Sequence, residues 1–231
     1  MQPDILGVGR ADSAGLVGSG GLAVSWNDLG TKPGGTAKTF RTLFGMEHTN
    51  FRRLDRAARL LHMACEATGL SSLIPDSERQ DTALVIETEL GCLQTDQDFA
   101  TSLETGVADS NAFPYTLPNT CLGELAIHYG LRGPTLCLSV ESEQDGVALT
   151  EAVHLLEMGD ARYVVVGRFE CLDVPVAGWQ PQALALVAVL TVESGDTALS
   201  RSSSAEKALW PESDSPSFSW LAEQVTRVCP P

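Results

Sequence analysis

Short apolar runs alternate along the chain with segments in which apolar residues recur at helical spacing. The runs predict strands at residues 5–8, 82–86, 136–140, 163–166 and 184–192. Helical spacing and helix-start residues predict helices at residues 54–68, 95–103, 120–129 and 142–158. This alternation indicates an α/β domain with a largely parallel sheet that is covered by helices on both faces.

Two stretches depart from this alternation. Glycine and serine crowd residues 13–21, and we expect no interior of a strand or helix there. Serine, acidic residues and proline dominate residues 200–219. The sequence therefore predicts one domain over residues 1–195 and a tail over residues 196–231, either flexible or docked through its aromatic residues.

The charge balance restricts the range of partners. The chain of 231 residues is 43% hydrophobic, a globular composition, and carries a formal net charge of −15. Its field repels phosphate backbones and anionic lipid surfaces, so nucleic acid is not an expected partner. An acidic carrier protein would need a local basic patch. Arg52, Arg53, Arg56 and Arg59 could supply one, although pairing with neighbouring acids on a helix is the simpler interpretation.

The cysteines and the apolar runs indicate a cytosolic protein. None of the six cysteines has the spacing of a metal site, so we expect neither a metal nor a cofactor. They are typical of buried small residues in a reducing compartment. No secretory signal and no membrane span is predicted, because the longest apolar stretch, at residues 183–192, suits a buried strand.

Three motifs occur in register between residues 112 and 172. They read FPYTLPN at residues 113–119, YGLRGP at 129–134 and MGDARYVVVG at 158–167. Together they resemble the nucleophile region of the β-ketoacyl synthases, in the thiolase superfamily. The resemblance continues more weakly upstream and ends near residue 190, where the family's second half would begin. It implies the N-terminal half of a thiolase-like fold, with a mainly parallel mixed sheet and helices on both faces.

In the resembled family a cysteine nucleophile stands at the amino end of a buried helix. A helix amino terminus stabilises a thiolate, and its first N–H groups can hold an oxyanion. The matching position here is Ser142, with Glu141, Glu143 and Asp145 around it. We interpret Ser142 as a helix cap in a capping box with Asp145, because the acids oppose an alkoxide.

The remaining chemistry of that family also lacks matching residues. Its two catalytic histidines lie in the second half, whereas the four histidines here all precede the end of the resemblance. Those at 62, 128 and 154 fall in predicted helices, where packing or surface positions are expected. Cys121 and Cys137 have apolar neighbours, which raise a thiol pKa. No catalytic residue is therefore expected.

The resemblance implies a partner subunit. In the family, two subunits join through the strand that precedes the nucleophile helix. The matching residues here are Leu136, Cys137, Leu138, Ser139 and Val140. A half-fold would also leave apolar surface uncovered.

Family members without the nucleophile are chain-length factors, which pair with an active synthase. The resemblance thus implies a non-catalytic, chain-length-factor-like subunit of polyketide, aryl polyene or fatty acid biosynthesis. Such a subunit would pair with a full-length β-ketoacyl synthase and meet the acyl carrier protein indirectly. Two alternatives stay open: a serine- or cysteine-dependent acyltransferase of the thiolase superfamily, and a structural homodimer.

Overall fold

A computed structural model describes residues 2–141, 143–176, 178–192 and 217–228. The described strands are β1 (Asp4–Asp12), β2 (Gly15–Gly18), β3 (Leu22–Ser25), β4 (Thr82–Thr88), β5 (Thr135–Ser139), β6 (Tyr163–Leu172) and β7 (Gln182–Thr191). The described α-helices are α1 (Ala37–Phe44), α2 (Arg56–Ala67), α3 (Leu70–Leu73), α4 (Leu93–Glu104), α5 (Thr120–Tyr129), α6 (Val147–Met158) and α7 (Phe218–Val228). Short 3₁₀ turns occupy Asp76–Asp81 and Phe113–Thr116.

The seven strands form one sheet in the order β3-β2-β1-β7-β6-β4-β5. This mixed sheet confirms the predicted α/β class. The expected excess of parallel pairs needs correction, since only β4 with β5 and β4 with β6 run parallel. The other four pairings are antiparallel, because β1, β2 and β3 fold as a meander and β7 returns between β1 and β6. Strand β5 lies at one edge.

Helices cover both faces, as predicted. On one face, α2 and α5 contribute residues such as Leu61 and Leu122 to a core with the inward side chains of the strands. On the other face, α6 and α7 pack through residues such as Leu149 and Leu221. Each central strand supplies alternate residues to the two cores, because successive side chains in a strand point to opposite faces.

The prediction that residues 13–21 contain no element interior is wrong, because β2 lies there. Gly9 of β1 and Gly18 of β2 allow the sheet to approach α2 closely. A Cβ atom added to Gly18 would lie 2.0 Å from the carbonyl oxygen of Ala67, and one added to Gly9 would lie 2.2 Å from that of Ala64. Glycine therefore marks strand packing against a helix backbone at these positions, rather than a loop.

The start of α6 also differs from the expectation. The helix begins at Val147 after Gly146, five residues beyond the predicted start at Ser142. The predicted capping box is therefore wrong: Asp145 precedes the helix and accepts hydrogen bonds elsewhere. Asn119 directly precedes α5 but makes no side-chain cap. The predicted stops Gly130 and Gly159 are confirmed, both in the left-handed conformation.

Helix α7 lies in the segment for which a tail was predicted. Phe218, Leu221 and Val225 are buried in the core on the α6 side of the sheet, and α7 contacts β1, β2 and β7. Trp210 and the proposed boundary at residue 195 fall outside the described residues, so the division into domain and tail stays a prediction. No helix in the described part of the chain is long and apolar enough to cross a bilayer.

Candidate functional site

The amino end of α6 is occupied by a carboxylate from β4. The Glu87 side chain is 0% exposed. One of its oxygens accepts from the Ala148 N–H at 2.8 Å, and the other accepts from the Gly146 N–H at 3.3 Å. Gly146 has φ of 100°, a conformation that favours glycine and turns the chain into the helix. Two of the N–H groups at the start of α6 are thus already bonded to an anion.

Arg168 on β6 lies beside Glu87, because these two residues are register partners in the parallel β4–β6 pair. Its guanidinium contacts carboxylates on three sides. Nη1 lies 3.3 Å from Glu87, Nη2 lies 3.4 Å from Glu89, and Nε lies 3.2 Å from Glu170. Asp145 is 3.8 Å from Nη1. The single guanidinium of Arg168 therefore interacts with four carboxylates in a largely buried position.

Glu170 ties the end of β6 to the turn after β4. Its oxygens accept from the N–H groups of Glu89 at 2.8 Å and Leu90 at 2.9 Å, and from the Thr88 hydroxyl at 3.2 Å. This carboxylate is 3% exposed. Its four partners fix the backbone that leads towards Gly91, so its role is structural.

Asp145 connects this network to α7. Its carboxylate accepts from the N–H of Phe218 at 3.0 Å and from the N–H and hydroxyl of Ser219 at 3.2 and 3.0 Å. These N–H groups begin α7 and have no partner within that helix. Asp145 therefore caps α7 rather than α6.

Burial raises the pKa of Glu87 and of Glu170, and the N–H donors and Arg168 oppose that shift. Both carboxylates are arranged as anions, because each accepts backbone N–H bonds and faces the guanidinium. We name Glu87, Glu89, Asp145, Arg168 and Glu170 the α6-head network. It can hold three chain segments together, and it offers neither a free cation nor a nucleophile.

Ser142, the position matching the family nucleophile, lies outside the described residues. The described thiols are free and poorly suited to attack. Burial raises the pKa of Cys137 to about 11 and that of Cys171 to about 11. Cys121 is fully buried, and burial raises its pKa further. Hardly any of these groups is a thiolate at neutral pH.

Three of the histidines form one cluster, in which His48 and His62 are buried and His128 is half-buried. Nε2 of His48 lies 2.8 Å from Nδ1 of His62, and the rings of His48 and His128 stack with centroids 3.9 Å apart. Burial lowers the pKa of each, to about 4 for His128. They are therefore neutral packing groups, as expected for residues 62 and 128. His154 is exposed on α6.

A cavity of about 420 Å³ lies at the start of α2, between α4 and the end of β6. Arg52, Arg53, Arg56 and Arg59 all line it, together with several aspartates. Arg56 is ion-paired with Asp173. The expected pairing of these arginines with acids is therefore present in part, and acids beside them offset the basic patch.

The sequence predictions missed the α6-head network, although a signal for it was present. Glu87 lies inside the apolar strand β4 and Glu89 directly follows it, and Arg168 and Glu170 interrupt the apolar run of β6. Charged residues inside buried strands require partners of opposite charge or N–H donors. Two adjacent parallel strands with such residues therefore indicate a buried ionic cluster.

The comparisons with known proteins agree with the fold. Residues 27–187 match the model of the family described as "Beta-ketoacyl synthase, N-terminal domain". No curated protein matched the chain by sequence.

Several solved structures share the fold. A chain of the ishigamide ketosynthase/chain length factor has a TM-score of 0.61 at 19% identity, with 85% of this chain and 64% of that chain covered. A chain of the ketosynthase ApeO in complex with its chain length factor ApeC, from Xenorhabdus doucetiae, has a TM-score of 0.54 at 18% identity, with 84% and 81% covered. A β-ketoacyl synthase from Burkholderia phymatum has a TM-score of 0.55 at 15% identity, with 82% and 59% covered.

At these identities the similarity establishes a shared fold, so the predicted thiolase-like class is confirmed. The chain spans less than two thirds of the ishigamide and Burkholderia chains that it matches.

Proposed function

The chain belongs to the β-ketoacyl synthase N-terminal domain family, and from that premise we propose that it is a non-catalytic subunit that pairs with an active β-ketoacyl synthase. The proposed role is that of a chain-length factor, the class named in two of the matched complexes. The pathway would be polyketide, aryl polyene or fatty acid biosynthesis, and the acyl carrier protein would be met through the synthase.

One observation carries the proposal: the Glu87 carboxylate accepts from two N–H donors at the amino end of α6, those of Gly146 and Ala148. A thioester reaction at this helix would need those donors for the oxyanion. A buried carboxylate already accepts from them, and a second negative charge about 4 Å away would cost roughly 4 kcal/mol at an effective dielectric constant of 20. The arrangement therefore supports assembly rather than acyl transfer.

The edge strand β5 supports the proposed pairing. Among the described strands it pairs with β4 alone, and its residues Leu136, Cys137 and Leu138 are half-buried. An open edge with partly apolar side chains favours strand addition by another subunit. The free thiols among the described cysteines suit the reducing cytosol that we propose as its location.

Incubation with an acyl thioester tests whether the chain accepts an acyl group. We expect intact-mass spectrometry to show no covalent adduct, with a full-length synthase as the positive control. An adduct on Ser142 or on a cysteine would contradict the proposal and favour the acyltransferase alternative.

Co-expression with a full-length synthase tests the pairing. We expect the two chains to purify together, and Leu138→Asp to abolish the complex by placing a charge in the contact. Ile127→Asp is the matched control, because Ile127 is 76% exposed on α5 and lies outside the proposed contact. Failure of the wild-type chain to bind any synthase encoded near it would contradict the assignment.

A further inference from the structure

Helix α4 has little cover from the described part of the chain. Only Thr95 of its twelve residues is buried, and the Thr95 hydroxyl donates to Asp55 at the start of α2 at 2.8 Å. Leu103 is 53% exposed, one helical turn after Phe99 on the same face. A helix of this length is marginal in water unless an apolar face packs against another element. The apolar face of α4 therefore lacks the packing that such a helix requires.

The segment that follows α4 extends this face. The N–H of Val107 donates to the Ser102 carbonyl at 3.3 Å, and the N–H of Asp109 donates to the Ser102 hydroxyl at 3.0 Å, so the chain folds back beside the helix end. The ring of Phe113 then lies against that of Phe99, with centroids 5.5 Å apart. Val107 is 73% exposed, and Phe113 is exposed as well. We name the side chains of this apolar face the α4 surface: Phe99, Leu103, Val107 and Phe113.

The α4 surface is unusual within the described part of the chain. Of the eight large apolar side chains that this part exposes, four lie between residues 103 and 117. Single exposed apolar residues are ordinary, whereas a group of them on one face marks an interaction site.

The charges beside the α4 surface are negative. Asp96 and Glu104 are exposed on α4, and the sequence has no Lys or Arg between Arg79 and Arg132. Such a surface repels an acidic carrier protein, an anionic lipid headgroup and a second copy of the same segment. It attracts a segment that combines apolar residues with basic ones.

The arginine-lined cavity lies on a different side of α4. The helix contributes Gln94, Thr95 and Asp98 to that cavity. Leu103 follows Gln94 by nine residues, which is about two and a half turns, so the two side chains leave the helix in opposite directions. The cavity arginines therefore lie across the helix from Leu103, and the field beside Leu103 stays negative.

We propose that the α4 surface binds an amphipathic helix of another protein, with the apolar side of that helix on Leu103 and Phe113 and its lysine or arginine residues beside Glu104. An amphipathic helix laid against an apolar surface is a recurrent mode of recognition. The bound helix supplies the packing that α4 lacks, so binding also protects the backbone of α4. The inference does not depend on the pairing through β5.

A synthetic peptide tests this chemistry on the full chain. The probe is a fluorescent peptide of about 14 residues, or four helical turns, with leucine on one face and lysine on the other. We expect saturable binding by fluorescence anisotropy that weakens as salt is added. Hydrogen exchange at residues 93–104 should slow when the peptide binds. The same peptide with glutamate in place of lysine should not bind.

Two variants and two matched controls locate the contact. Leu103→Ser should weaken binding of the lysine peptide at least about tenfold, and Glu104→Lys at least about threefold. Met158→Ser and Glu223→Lys make the same changes at exposed positions on α6 and α7, which pack on the other face of the sheet. We expect both controls to bind as wild type does, and circular dichroism should show every variant folded.

The outcomes separate a specific contact from attraction to the net charge of −15. Weakening by Leu103→Ser and Glu104→Lys, without weakening by the controls, supports the inference. Equal binding by all the variants overturns it, as does a wild-type chain that fails to bind the lysine peptide or binds the glutamate peptide equally well. Co-purification with a synthase is a separate measurement, so the proposed function and this inference fail independently.

Discussion

At the scale of single residues, Glu87 shows how one buried side chain can join two elements of the fold. Its carboxylate joins the backbone at the start of α6 to the guanidinium of Arg168. Neither contact alone explains a fully buried acid, because removing a carboxylate from water is costly unless its oxygens are satisfied. Both together do.

Removing this carboxylate should destabilise the protein. We expect Glu87→Ala to lower the free energy of unfolding by about 2 kcal/mol or more, because it leaves Arg168 short of one partner and the start of α6 uncapped. Urea denaturation would measure the change. Glu104→Ala, at an exposed position on α4, should stay within about 0.5 kcal/mol of wild type. Equal effects of the two variants would contradict the assigned role of Glu87.

The histidine cluster makes a prediction about acid stability. Burial holds the pKa of His48, His62 and His128 below the ordinary value, so these groups are neutral when folded and gain protons on unfolding. Their contribution to stability is therefore complete above about pH 6.5 and is lost as the pH falls towards about 4. Glu124 near His48 and Arg79 near His128 modulate these shifts.

His128→Phe isolates this effect, because it keeps an aromatic ring against His48 and removes one titrating group. We expect the unfolding free energy of this variant to depend less steeply on pH than that of wild type between pH 6.5 and 4. Raised pKa values at buried acids such as Asp55 and Glu66 act in the opposite direction in both proteins. An unchanged slope would show that His128 titrates normally.

At the scale of elements, the sequence predicts helices and central strands well and their boundaries less well. Burial imposes an apolar run on each central strand and a helical period on each packed helix. These patterns are therefore enough to predict β4, β6, β7 and α2 from the sequence. The start of α6 could not be predicted from Ser142 and its neighbours. Its cap comes from Glu87, about 60 residues earlier in the chain, and local pattern cannot reveal a partner at that distance.

Gly18 of β2 and Gly123 of α5 give a matched pair of substitutions. We expect Gly18→Ala to destabilise the protein by about 1–3 kcal/mol, since its Cβ would meet the carbonyl of Ala67 at 2.0 Å. Gly123→Ala on α5 should instead stabilise it by about 0.5–1 kcal/mol, because a Cβ there meets nothing within 4 Å and alanine favours the helix. Thermal unfolding would compare the two. Two changes of the same sign would contradict the close approach of β2 to α2.

The attachment of α7 through Asp145 can be tested separately from the stability of the domain. Asp145→Ala removes the acceptors for Phe218 and Ser219 and should weaken the start of α7 by about 1 kcal/mol. Hydrogen exchange within residues 218–228 should then quicken several-fold. Asp145→Asn keeps one acceptor and should retain most of the protection. Identical exchange in all three proteins would argue against this cap.

At the scale of the whole molecule, the sequence motifs indicate the family. The structure adds which helices cover each face of the sheet. The three motifs between residues 113 and 167 were sufficient for the family, because they combine turns and helix ends whose spacing the fold dictates. The packing of α7 against β1, β2 and β7 could not be derived in the same way. The aromatic and aliphatic residues of that segment indicate that it docks, and they do not indicate the face to which it docks.

The position of β5 at the rim of the sheet has a consequence for solubility. A strand with one unpaired side can template aggregation in a chain to which no other subunit is bound at that side. The excess of acidic residues makes each copy negatively charged at neutral pH, and the repulsion between copies is a barrier to their association. That barrier vanishes near the isoelectric point of about 4.5, so mild acid should precipitate the lone chain sooner than a complex in which the rim is occupied.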